Sequence, residues 1–426
     1  MRILIKNGNV IDPGNIEGEM DILIEDNKIT EIHPRHTASD GPAADTVIDA
    51  SGKVVVPGLI DMHVHLREPG LEYKETIESG CLAAAYGGFT AICTMPNTNP
   101  INDNAQVTRY ILKKAEMADT ALVYPVAAIS VGSQSKNLCE YAELKEAGAV
   151  ALSDDGGPVT NSELLRRSLE YAGTFNLPII SHCEDIALAA RGVMNEGAVA
   201  TQMGLAGSPN IAESIGVMRD IAICEFTGSP LHIAHVSTSE SVHVIREAKS
   251  RGVPVTAETA PHYFTLTDEA VRSYNTNAKM NPPLRSEKDR QAIIQGLSDG
   301  TIDVIATDHA PQTCIEKEME FDMAANGIIG LETSVPLSLR LVDQGALSLS
   351  QLIEKMSINP GRIIDRMNRI QTGYDANLTI LDLEKTFTVK ADQFKSMSRN
   401  TPFDNWEVKG KAVLTMVNGK IVFEDL

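Results

Sequence analysis

Two imidazoles stand two residues apart in PGLIDMHVHLREPG, residues 57–70. Residues i and i+2 of a β-strand share a face, so His63 and His65 point the same way if this run is a strand. A Pro-Gly turn opens it, Leu59 and Ile60 carry it inward, and the histidines come at its end. Neutral imidazole in such a place is a good ligand for zinc. One His-x-His is more often packed or solvated than metallated, so the pair carries weight only in company. That company is Asp155 in ALSDDGG, His182 in ISHCED, His235 in IAHVST and Asp308 in ATDHAP, each closing an apolar run. An aspartate there is often only a helix cap, and a lone histidine only a satisfied core residue. Six together at the strand ends of one scaffold reverse those odds.

The scaffold is legible between residues 57 and 370. Eight apolar runs alternate with helical stretches: LIDMHVHL, FTAICTMP, ALVYPVAAIS, AVALSDDG, LPIISHCE, PLHIAHVS, PVTAETAPHY and IDVIATDHAP. Alternation of this kind calls for a parallel sheet with helical crossovers, and eight units predict an α/β chain with a TIM (β/α)8 barrel. Residues 1–56 and 371–426 read instead as short strands divided by Asn-Gly, Asp-Asn and Ser-Gly turns. Neither end holds enough strands to bury two faces alone, so both are expected to build one small β-sandwich. The run TCIEKEMEFDMAANGIIG (313–330) lacks periodicity and follows a strand that ends in chemistry, which suggests a lid.

The remaining histidines are assigned humbler places. His232, three residues before His235, is expected to face the other side of its strand, toward a helix. His243 is expected to pack within a helix, and His262 and His309 to orient ligands or lid residues. His33 and His36 fall in the terminal β unit, away from any chemistry.

A net charge of -20 argues against a nucleic-acid groove or an anionic membrane surface, both of which need clustered Lys and Arg. Hydrophobic residues make 43% and charged residues 22% of the chain, an ordinary globular balance, and no run approaches the length of a membrane span. The six cysteines form no CxxC pair and read as reduced thiols. With a strand-like run directly after Met1 in place of a signal peptide, they point to a cytoplasmic protein.

Taken in order, DMHVHLREPG (61–70), GGFTAICTMPNTNP (87–100), ALSDDGGPV, ISHCED, IAHVST, KMNPPLR (279–285) and ATDHAP resemble the motifs of the dihydroorotases, within the cyclic amidohydrolases. The resemblance spans essentially the whole chain. It implies the same barrel and β-sandwich, and reversible cyclisation of N-carbamoyl-L-aspartate to L-dihydroorotate in pyrimidine synthesis. A metal-held hydroxide would be the nucleophile, and Asp308 the general acid and base. His63, His65 and Asp308 would hold one zinc, His182 and His235 a second, with Asp155 between them, so that one or two zinc ions serve each subunit. Many relatives bridge with a carboxylated lysine, and SDDG has none. Strand alternation lets only one of Asp154 and Asp155 point inward, and the family register selects Asp155.

The same resemblance assigns the substrate to His65, Arg67, Asn97 and Asn281, with backbone groups of Leu66, Asn326 and Gly327. Arg67 suits the task chemically, since a planar guanidinium fork matches a carboxylate. After ATDHAP the family usually carries a histidine where this chain has Gln312, which can donate a hydrogen bond but brings no charge. Ala325 and Asn326 also replace the usual Pro-Phe pair. A homodimer and an association with aspartate transcarbamoylase are the partners to test. The competing readings are a hydantoinase or allantoinase type of cyclic amidohydrolase, and an inactive scaffold partner of the transcarbamoylase.

Overall fold

The structure, a computed structural model, describes residues 1–34 and 44–426; His36 lies outside them. The chain opens with β1 (Arg2–Asp12), β2 (Ile16–Glu25), β3 (Lys28–Pro34), β4 (Thr46–Asp49) and β5 (Val54–Pro57). β1 runs antiparallel to β2 and parallel to both β4 and β5. The turn from β2 to β3 holds Asp26 at a φ of +55°, a left-handed conformation that aspartate tolerates.

β6 (Leu59–Val64) follows after Gly58 alone, where any Cβ would collide with Thr90. The barrel continues through β7 (Phe89–Thr94), β8 (Leu122–Ala127), β9 (Ala151–Leu152) and β10 (Ile179–Ser181). A small ladder of β11 (Met194–Asn195) with β12 (Gly207–Ser208) lies in the long connection after β10. β13 (Leu231–Ile233), β14 (Val255–Thr259) and β15 (Val304–Ile305) complete the ring. The eight barrel strands are parallel and neighbour one another in chain order. A parallel bridge from Val64 to His309, with the His65 amide donating to the His309 carbonyl at 2.9 Å, joins last to first.

Strand alternation divides the apolar residues between two cores. Ala91, Cys93, Ile180, Ala234 and Val304 pack inside the ring. Ile92, Ile179, Ile233 and Ile305 face outward, in the larger core that includes helix residues such as Ile111, Leu165, Val217 and Ile245. Helix entry is set locally: Thr76 and Ser79 form a reciprocal capping box at the helix Ile77–Gly87, the first after the histidine strand.

β16 (Leu378–Thr388), β17 (Glu407–Val417) and β18 (Lys420–Glu424) return to the N-terminal strands, with β16 antiparallel to β5. Both termini thus share one eight-stranded sheet and one core, in which Ile3, Ile5, Ile22 and Ile24 meet Leu378, Ile380, Leu414 and Met416. Part of the C-terminal segment also serves the barrel. Phe403 packs with Tyr263 and Ile328, and Asn400 donates to the carbonyls of Ala310 and Gly327 at the barrel mouth. Within 313–330 only Cys314–Lys317 is helical, capped reciprocally by Thr313 and Glu316.

Candidate active site

His63 and His65 leave β6 with both Nε2 atoms 3.5 Å from Asp155 Oδ2. Asp308 Oδ1 stands 3.6 Å from His63 Nε2 and 3.2 Å from His65 Nε2. On the far side, Asp155 Oδ1 is 3.3 Å from both His182 Nδ1 and His235 Nε2. Asp155 therefore offers one oxygen to each histidine pair. The potential ligand atoms of His63, His65 and Asp155, and of Asp155, His182 and His235, form two groups, each within 4.8 Å. All six of the predicted ligands are buried here.

The surroundings aim these imidazoles at the centre. His63 Nδ1 meets Glu258 Oε1 at 2.6 Å, and His65 Nδ1 meets Asn97 Oδ1 at 2.8 Å. An oxygen acceptor at Nδ1 keeps the ring proton there and leaves the Nε2 lone pair free. His63 Nε2 is buried with no hydrogen-bond partner, and His182 Nδ1 lies 2.8 Å from His235 Nε2. Convergent imidazole lone pairs around a carboxylate are an arrangement that a divalent metal ion satisfies. Electrostatics agree: burial by itself would raise the Asp155 carboxyl, but His63, His182 and His235 hold it well below the usual range. Burial likewise opposes charge on His63 and His182, yet their carboxylate neighbours raise both, His182 to about 10. Surroundings that favour positive charge on these imidazoles also favour a cation among them.

Asp154 does different work. It accepts the amides of Ile129 and Ser130 and the Ser130 hydroxyl, at 2.5–3.0 Å, and so ties the loop after β8 to the end of β9. Asp61, also buried, accepts the amides of His63 and Thr307 and joins β6 to the end of β15. Burial pushes its carboxyl up to about 7.

Three site residues have left-handed backbones: Arg67 at +63°, His235 at +34° and Asp308 at +49°. Such conformations cost non-glycine residues energy and persist where surrounding structure holds them. His235 explains a misplacement. Because β13 ends at Ile233 and the chain turns at His235, strand parity does not extend from 232 to 235. His232 consequently faces the barrel interior, not a helix, and its Nε2 meets Glu258 Oε2 at 3.2 Å. His243 is also corrected: it is exposed, with its Nε2 3.4 Å from Glu247 Oε1 one helical turn away. His309 Nδ1 accepts the Gly330 amide, at the end of the 313–330 run, and its Nε2 faces Glu75. His33 is surface-exposed beside Glu31.

A cavity above the histidines is lined by Arg67, Asn97, Asn281, Gln312, Asn326 and Gly327, with His65 and Asp308 at its floor. Arg67 is buried, which lowers its pKa, and its Nε donates to the Pro311 carbonyl at 3.1 Å. Leu66 is buried as well, against Gly80, where a Cβ would strike its side chain. Gln312 is held at both ends: its Nε2 donates to the Asn326 carbonyl at 2.7 Å, and its Oε1 accepts from Lys74 Nζ at 2.8 Å.

A family profile described as dihydro-orotase-like matches residues 52–241. Dihydroorotases of Desulforapulum autotrophicum and Syntrophus aciditrophicus are 56% and 55% identical to this chain, over 100% of it and 99% and 100% of their own lengths. The chain belongs to the dihydroorotase family. Among solved structures, the L-hydantoinase (dihydropyrimidinase) of Arthrobacter aurescens matches with a TM-score of 0.90 at 29% identity, covering 99% of this chain and 96% of that one. A cyclic amidohydrolase barrel is thus common to both.

Two residues of this dihydroorotase-family site escaped the sequence reading. Glu258 grips His63 and His232 together, and its carboxyl is held far below the usual range by them against the effect of burial. An acid inside the apolar run PVTAETAPHY was the available signal. Lys74 gave none; it brings a positive charge to Gln312 and pairs with Glu316 at 2.6 Å.

Proposed function

We propose that this chain catalyses the reversible cyclisation of N-carbamoyl-L-aspartate to L-dihydroorotate, with one or two zinc ions bound by His63, His65, Asp155, His182, His235 and Asp308. The observation that carries the reading is Arg67, a buried guanidinium in a cavity whose floor is the histidine and aspartate centre. A carboxylate receptor beside a hydrolytic centre suits an anionic ring. The names of the full-length relatives support the same substrate. The six free thiols, none of them paired, support a cytosolic setting.

Zinc bound there would lower the pKa of water to roughly 7 and polarise the ring carbonyl. The protein's own groups do the rest. Arg67 and the amides of Asn97 and Asn281 hold the substrate carboxylate, which fixes the reacting amide over Asp308. In hydrolysis Asp308 takes the proton of the attacking water as the C–O bond forms, then delivers it to the ring nitrogen as the C–N bond breaks. Synthesis reverses both transfers.

The test is hydrolysis of dihydroorotate and of hydantoin by the zinc-loaded protein. Preference for hydantoin would move the assignment to the hydantoinase type. Arg67→Met sharpens the choice. Charge-assisted hydrogen bonds are worth about 1.5–3 kcal/mol, so kcat/KM for dihydroorotate should fall roughly 10- to 100-fold, mainly through KM. An unchanged KM would mean that the carboxylate is bound elsewhere.

The same reading includes a homodimer. The 18-residue helix Asn210–Thr227 exposes Ile211, Ile215, Met218, Ala222 and Phe226 along one side, an apolar stripe on a strongly acidic protein. Met218→Glu should shift the sedimentation of the protein to that of a monomer with its circular dichroism unchanged. A dimer that survives the substitution rules out this face.

A further inference from the structure

Lys317 is 3% exposed and, among the described residues, has no carboxylate partner, in a chain of net charge -20. Its Nζ donates instead to three backbone carbonyls: Lys279 at 3.2 Å, Ala325 at 2.8 Å and Gly327 at 3.1 Å. An ammonium has three N–H donors, so the cage matches it fully. Lys279, 5% exposed, repeats the device from the next position, with Nζ donating to the carbonyls of Asp322 and Ala324 at 3.0 and 2.7 Å. Burying two cations side by side is costly, and burial with the charge of Lys279 brings Lys317 down to about 7.

The cage has a consequence for the cavity. The C=O and N–H of a trans peptide point in opposite directions. With the Ala325 carbonyl fixed on Lys317, the Asn326 amide is turned to the other side, and Asn326 lines the substrate cavity. The next peptide is pinned too: the Asn326 carbonyl accepts from Gln312, and the Gly327 amide donates to the Lys279 carbonyl at 3.0 Å. Gly327 has a φ of +120°, and a Cβ there would strike Ala310. The loop is therefore shaped from behind by the Lys317 amino group and from the front by Gln312.

We propose that Lys317 is a positioning residue of the active site, its buried amino group holding the Asn326–Gly327 backbone in the form that turns the Asn326 amide toward the substrate carboxylate. This rests on the carboxylate-binding reading above, so Arg67→Met serves as its control. Lys317→Met, in the zinc-loaded full chain, should raise KM for dihydroorotate roughly tenfold with kcat and zinc content little changed. Lys317→Ala leaves a cage of three carbonyls, and ammonium or methylammonium ions should restore its KM where tetramethylammonium at equal ionic strength does not. If Lys317→Met yields no folded protein, Lys317→Ala prepared in ammonium and transferred out of it gives the same measurement. A KM unchanged in Lys317→Met while Arg67→Met raises it overturns the proposal, as does a raised KM in Lys317→Ala that ammonium leaves untouched. If Arg67→Met itself leaves KM unchanged, the carboxylate reading has failed, and the role assigned to Lys317 falls with it.

Discussion

Asp308→Asn should keep the fold and most of the bound zinc while turnover falls by about 10²- to 10⁴-fold, the range of a lost general acid and base. The geometry makes the two effects separable. Asp308 Oδ1 faces His65 Nε2 at 3.2 Å and His63 Nε2 at 3.6 Å, and an asparagine can keep one oxygen in that place. What it cannot do is take up and return a proton. Burial would raise the Asp308 carboxyl, but the contact with His65 and the charges of His63 and His235 lower it, which keeps it ionised at neutral pH, the form the proposed base requires. The measurement is kcat alongside zinc content by atomic absorption. Near-normal kcat with full zinc would remove Asp308 from the proton path.

The adjacent aspartates should separate just as sharply. Asp155→Ala removes the carboxylate shared by both histidine pairs, so zinc and activity should be lost together. Asp154→Ala removes no atom of the histidine centre. It strands the buried amides of Ile129 and Ser130, at about 1–3 kcal/mol each, and should lower the unfolding temperature while most zinc stays bound. Zinc content and thermal unfolding of both variants decide the matter. If Asp154→Ala loses the zinc and Asp155→Ala keeps it, the ligand at this strand end has been assigned one residue out of register.

Residue order alone determined a great deal. Eight apolar runs with crossovers between them leave few topologies open, because parallel strands need long connections and a closed ring leaves no edge. The spacing of His63, in β6, and His65, just past its end, turned both toward Asp155, and the motifs in their order pointed to the family. The pairing of the two termini was legible for a similar reason: strands too few to bury both faces must find each other.

What only the tertiary structure decided lies where the chain leaves regular geometry. Sequence periodicity holds inside a strand and ends with it. The turn at His235 therefore reversed the expected direction of His232, and β9 is too short for alternation to choose between Asp154 and Asp155. Glu258, Lys74, Lys317 and Asn400 come from separate segments and reach their partners His63, Gln312 and Gly327 only because the barrel closes and the C-terminal segment returns to it. Their roles are set by partners far away in sequence: His63 and Glu258 are 195 positions apart, and the chain between them carries no periodic trace of that contact. Local pattern encodes which face a residue shares with its neighbours; which buried charge it meets is a property of the closed barrel.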